Sequence, residues 1–201
     1  MTLSRRTQAD RSAATRAALI AAGRTLFAQH GFAGVGTEAI VREASVSRGA
    51  LYHQFGDKTE LFAAVLDEVE HEIAQELVAA AGTSGDGDFV ELMLETFTAW
   101  LDACQTPHVQ RIVLIDGPSV LGWARWRAIC QHHVLGLVEG MLSEGVAAGA
   151  LTPLPVKPLA HVLLAMADEA ALYVDAAPSP AAAQADMVAV VRPLIEALAR
   201  E

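Results

Sequence analysis

The sequence predicts an all-α protein, and three observations carry that reading. Proline and glycine divide the 201 residues into pieces of helical length. Inside the pieces apolar residues recur at spacings of three and four. No alternating apolar and polar run long enough for a strand survives between the breaks.

The first helix is expected over about 12–30, with Leu19, Ala22, Gly23, Leu26 and Phe27 on one stripe and Gly31 as its stop. Two short helices follow, over about 37–44 and 48–55, separated only by Ser45, Val46 and Ser47 and closed by Gly56. Asp57-Lys58-Thr59-Glu60 then opens a long helix as a capping box, Asp57 accepting from the backbone and Glu60 reaching back. Its stripe of Leu61, Phe62, Val65, Leu66, Val69, Ile73 and Leu77 can run to Ala81. The glycine-rich run at 82–87 reads as a loop. Further helices are expected at about 88–104, 108–115, 118–148 with a break near Gly122, 156–176 and 181–200, with Pro153, Pro155, Pro158, Pro178 and Pro180 at the later breaks.

The segment 36–55 has the layout of a helix-turn-helix, whose second helix can lie in a DNA major groove. Ile40, Ala44, Val46 and Leu51 can lock its two helices onto Leu26 and Phe27. The other face keeps Thr37, Ser47, Arg48, Tyr52, His53, Gln54 and Lys58 as hydrogen-bond donors. Gly49 removes bulk where a backbone would approach phosphates. Thr37 and Ser47 stand at helix N-termini, where the hydroxyl, the free N–H groups and the dipole suit an anionic oxygen.

The run TEAIVREASVSRGALYHQFGDKTELF resembles the DNA-binding signature of the TetR family of transcriptional regulators, and AALIAAGRTLFAQHGF is similar to that family's first helix. The resemblance implies a homodimer that binds a near-palindromic double-stranded DNA operator and is released by a small molecule held in the C-terminal domain. Carried over by position, Thr37, Ser47, Arg48, Gly49, Tyr52, His53 and Lys58 match DNA contacts, mostly to phosphates. Ala50, His53 and Gln54 match positions for base contacts. Two residues depart from the pattern: Ser45 stands where the turn commonly has glycine, a position that often takes positive φ, and Gln54 stands where a second histidine is frequent.

Composition limits the alternatives. The chain is 53% hydrophobic and only 19% charged, with mean hydropathy +0.33. Its longest stretch without a charged residue is the 13 residues from Thr25 to Thr37, too short to span a bilayer, which needs ~20. The excess apolar surface is expected to enter a subunit interface, a ligand cavity, or both. The polar, basic amino terminus is not a signal peptide, so a cytoplasmic location is expected. Cys104 and Cys130 read as buried free thiols. The net charge of −10 is unevenly spread: eight basic against four acidic residues through Lys58, six against twenty beyond it. A cationic DNA-facing end thus sits on an acidic body that would repel DNA and orient the molecule on it. Arg5, Arg6 and Arg11 could add a basic arm ahead of the first helix.

No catalytic constellation stands out. Ser119 lies in a Gly-Pro-Ser-Val-Leu-Gly run one residue too long for a nucleophile elbow and without a strand before it. The adjacent pairs Asp168 with Glu169 and His132 with His133 diverge by ~100° on a helix and suit neither acid–base pairing nor metal ligation. The expectation is therefore a regulator, not an enzyme, with no cofactor and no metal. A helical hydrolase using Ser119 and a ligand-binding adaptor without DNA binding are the rival readings. Met93, Phe97, Trp100, Trp123, Trp126, His133, Met141, Met166, Glu169 and Tyr173 are candidate ligand contacts, because aromatic, sulfur and sparse polar groups recur on helix faces there. That composition suits a mostly hydrophobic small-molecule effector. Leu159, Val162, Leu163, Ala170, Val188, Val191, Leu194, Ile195 and Leu198 are candidate dimer-interface residues. The expected division is 13–73 for DNA binding and 74–201 for ligand binding and dimerisation.

Overall fold

A computed structural model describes residues 7–81 and 89–199. The expected loop at 82–87 and the arginines Arg5 and Arg6 lie outside the described residues. Helix α1, Gln8–Gly34, begins earlier than its apolar stripe because Thr7 and Asp10 form a capping box. It does not stop at Gly31 but breaks there, with φ +69°, and resumes to Gly34. A β-carbon at Gly31 would run into the Arg111 guanidinium, so the glycine serves both the backbone turn and the close approach.

Helices α2, Thr37–Glu43, and α3, Arg48–Phe55, form the expected pair. Ser45 takes φ +54°, the only positive φ among the described non-glycine residues, as its place in the turn suggested. Ser47 caps α3 by accepting the Ala50 N–H. Leu19, Phe27, Ile40, Leu51, Leu61 and Phe62 are fully enclosed, and Phe27, Phe32 and Phe62 pack edge to tilted with centroids 5.3–5.7 Å apart.

Helix α4, Lys58–Ala81, carries the long apolar stripe. Asp57 caps it through the Glu60 N–H, but Glu60 does not reach back. Both of its carboxylate oxygens lie 2.6 Å from Arg125, and a bidentate charged pair outcompetes one bond to an amide.

Around α4 and α5, Phe89–Cys104, pack the short α6, Pro107–Val109, and a π-helical segment, Gln110–Asp116. The chain continues through α7, Gly117–Leu121, α8, Trp123–His132, and α9, Val134–Ala147. The expected 118–148 helix is thus cut twice: at Gly122, with φ +73°, and at His133, whose backbone leaves helical space at φ −114°, ψ −97°. Helices α10, Val156–Ala176, and α11, Pro180–Glu196, pack on α5 and on each other. Among the described residues, the sole β-bridge joins Leu151 to Ala199, and no helix is long and apolar enough to cross a membrane.

Candidate DNA-binding face and effector cavity

The cap at Ser47 and the buried Leu51 and Phe55 fix the rotation of α3. That rotation turns Ser47, Arg48, Gly49, Tyr52 and His53 to solvent and leaves Ala50 and Thr37 half-buried at the edge. Arg48 bonds the Tyr52 hydroxyl at 3.3 Å and Glu38 at 2.9 Å. Because these groups are well exposed, the pairings are weak and readily exchanged for a phosphate. The Arg48 hydrogen bond also pulls the Tyr52 phenol below its ordinary range. Among the described residues a β-carbon at Gly49 would meet nothing nearer than the Ser47 hydroxyl at 3.9 Å, so no contact there requires that glycine.

Two expected DNA contacts are engaged inside the fold. Gln54 is half-buried, and its amide donates to the Ser12 hydroxyl at 2.8 Å. Lys58 donates to the Phe32 and Val35 carbonyls, both at 2.8 Å, and lies 3.9 Å from the Phe32 ring centroid. Burial pushes its ammonium below the usual lysine range. The lysine thereby closes the end of α1, where helical carbonyls run out of partners.

The C-terminal helices surround a narrow apolar cavity of about 50 Å³. Leu77 of α4, Met93, Thr96, Phe97 and Trp100 of α5, Val134 and Val138 of α9, Leu163, Leu164, Met166 and Ala167 of α10 and Ile195 of α11 line it. Of the candidate ligand contacts, Met93, Phe97, Trp100 and Met166 therefore meet at one site. Trp123, Glu169 and Tyr173 face solvent, while Trp126, His133 and Met141 are packed elsewhere. His133 bonds Asp67 at 2.9 Å. Helical spacing puts residues on one face but does not say which face turns inward.

The same correction applies to the candidate interface. Ala170, Val191 and Ile195 are buried in the chain's own core and cannot meet a partner. Leu159, Leu163, Val188 and Leu198 are half-buried, and Leu163 belongs to the cavity wall. Val162 and Leu194 are exposed, joined by Tyr173 and Val190.

Sequence reasoning missed the polar links between elements. Arg24 of α1 pairs with Glu72 of α4 and touches His108. Asp116 accepts the Phe32 N–H, and Glu60 holds Arg125. It also missed a buried cluster of Glu70, Arg127 and Asp168, where desolvation raises both carboxyls to about 7. A signal was present: Glu70 falls in step with Leu66, Ile73 and Leu77, on the buried stripe of α4. Ser119 donates to the Asp116 carbonyl, and among the described residues no His, Cys, Asp and Glu cluster could hold a metal.

A capped recognition helix exposed beside a helical body define the class: a helix-turn-helix DNA-binding regulator. Residues 19–65 match the family model for bacterial regulatory proteins of the tetR family, and 90–198 match that for a tetracyclin repressor-like C-terminal domain. The chain belongs to the TetR family. It is 31% identical to a TetR-family transcriptional regulator from Pectobacterium atrosepticum, with a TM-score of 0.80 over 98% of this chain and 99% of that one. It is 29% identical to the transcriptional repressor SCO4008 of Streptomyces coelicolor across 77% of each protein. With the repressor AcnR of Corynebacterium efficiens the identity is 31%, over 42% of this chain and only 41% of that protein.

Proposed function

We propose that this protein is a repressor that binds a palindromic operator as a homodimer and is released by a small, mostly hydrophobic effector. The observation that carries the DNA-binding half is Gly49. It stands on an exposed face between Arg48 and Tyr52 with open space where a side chain would be, as close approach of another molecule's backbone requires. Thr37, Ser47, Arg48 and Tyr52 supply phosphate contacts, and Ala50 and His53 face the bases. Lys58 has a third N–H left for phosphate, and Gln54 reaches bases only by releasing Ser12.

Residues 13–73 form the DNA-binding part and 74–201 the effector and dimerisation part, with α4 shared between them. The apolar cavity receives the effector. Two recognition helices must meet successive major grooves ~34 Å apart. An effector that favours another separation lowers operator affinity by its differential binding energy. An electrophoretic mobility assay on the promoter beside its own gene tests the reading, with a footprint of two half-sites one helical turn apart expected. The absence of a shift, or a shift unchanged by Arg48→Ala with Tyr52→Ala, would overturn it.

A further inference from the structure

The cavity walls are apolar, but one end borders side chains whose polar atoms lack partners. Among the described residues five buried side-chain polar atoms have none: Glu70 Oε2, Trp100 Nε1, Trp126 Nε1, Arg127 Nε and Arg127 Nη1. Four of these five are N–H donors. Trp100 is itself a cavity wall residue. Two other wall residues stand beside the cluster: the Val134 backbone acts on the Glu70 carboxyl, and Ala167 is the chain neighbour of Asp168 in α10. Buried donors are paired in nearly all folded proteins, so a group of them marks what is to be bound.

Arg127 dominates the cluster. Its side chain is 11% exposed, with the guanidinium 4.7 and 4.4 Å from the ring centroids of Trp123 and Trp126. Its nearest carboxylate, Asp168, is 3.9 Å from Nη2, beyond hydrogen-bond reach. Glu70 Oε1 is already engaged by the Cys130 thiol at 3.2 Å. Among the described residues the buried cation therefore has no hydrogen-bonded counter-charge. Resting on the effector reading above, we infer that the effector is an organic acid whose apolar body fills the cavity and whose carboxylate is held by Arg127 and the Trp100 N–H. Burial also holds Glu70 and Asp168 toward their neutral forms, which lessens their repulsion of a second carboxylate. An amine would instead leave every one of the four N–H groups unpaired.

Titration calorimetry on the full chain tests this with hexanoate, octanoate and phenylbutanoate, each compared with the alcohol and the primary amine of the same carbon skeleton. The acids are expected to bind about 10-fold or more tighter than their alcohols, as a charge-assisted hydrogen bond supplies. Arg127→Gln should bring the acids to the level of the alcohols and leave the alcohols unchanged. Trp100→Phe, which keeps a ring in the wall, should weaken the acids alone by about 3- to 10-fold and carries the test if the arginine variant does not fold. Amines binding tightest, acids and alcohols binding alike, or a preference that survives both substitutions would overturn the acid assignment and leave the effector cavity standing. If no compound binds a protein that still shifts operator DNA, the cavity reading falls together with the acid.

Discussion

Asp116 accepts the backbone N–H of Phe32 at 2.7 Å, tying the π-helical segment of the C-terminal body to the broken end of α1. The break at Gly31 takes Phe32 out of the regular helical path, and Asp116 supplies an acceptor for its N–H. Arg111 braces the carboxylate at 3.4 Å. The bond joins the π segment to the helix beneath the helix-turn-helix. Asp116→Ala should destabilise the protein by about 1–3 kcal/mol, the range for stranding a partly buried N–H. Urea unfolding measures the loss, and faster amide exchange at Phe32 than at neighbouring α1 residues would localise it. Asp116→Asn, which keeps an acceptor oxygen, should lose less.

Lys58 and Arg48 are separable by the salt dependence of operator binding. Arg48 is exposed and free to exchange Glu38 for phosphate, so Arg48→Ala should lower the slope of log affinity against log salt by about one. Lys58 already spends two N–H groups on α1 carbonyls. Lys58→Met should therefore change that slope less while costing about 1–2 kcal/mol of stability. Equal slope changes with unaltered stability would show that Lys58 acts on DNA alone.

The difference between Arg48 and Lys58 also shows what the sequence could and could not reveal. Local features were readable: the helix-turn-helix, Ser45 at positive φ and the Asp57 cap depend on residues a few positions apart. Contacts across the fold were not. Gln54 looks like a base reader until Ser12, 42 positions away in the chain, takes its amide. Glu60 looks like half of a capping box until Arg125 claims it. Periodicity marked α10 and α11 as apolar helices, but each has two apolar faces, so Ala170 and Leu194 could not be told apart without the packing.

Glu70 should make stability depend on pH in a definite direction. Its carboxyl is raised from 4.5 to about 7 by burial, so the folded state keeps a proton that the unfolded chain loses first. Stability contributed by this group is full below about pH 4.5, falls through the window up to about 7, and is level above it, a change on the order of 3 kcal/mol. Glu70→Gln removes that decline. The variant should gain on the wild type from pH 5 to about pH 7 in urea unfolding and keep a constant lead from there to pH 8, and parallel curves would show that Glu70 titrates normally. Asp168, raised from 3.8 to about 7 for the same reason, should leave a dependence of the same sign in the variant.

The exposed stripe on α10 and α11 has the chemistry of a subunit contact. Val162 and Tyr173 on α10 are 64% and 55% exposed, and Val190 and Leu194 on α11 are 60% and 53% exposed. Ala182, Ala185, Ala189 and Pro193 form the neighbouring exposed strip of α11 at spacings of three and four, so little side-chain bulk keeps another helix away. Two copies related by a twofold axis would cover the same patch on each other and remove four large apolar side chains per chain from water. The dimer carries the operator reading, because a single recognition helix meets one half-site. Leu194→Glu would place a charge in that contact on both chains at once. Sedimentation at micromolar concentration should find a dimer for the wild type and a monomer for Leu194→Glu, with operator affinity falling by at least about 10-fold as the second half-site is lost. Ile115→Glu, at an exposed apolar residue of the π segment, should remain dimeric. A wild-type monomer, or a dimer untouched by both Leu194→Glu and Val162→Asp, would place the interface elsewhere or remove it.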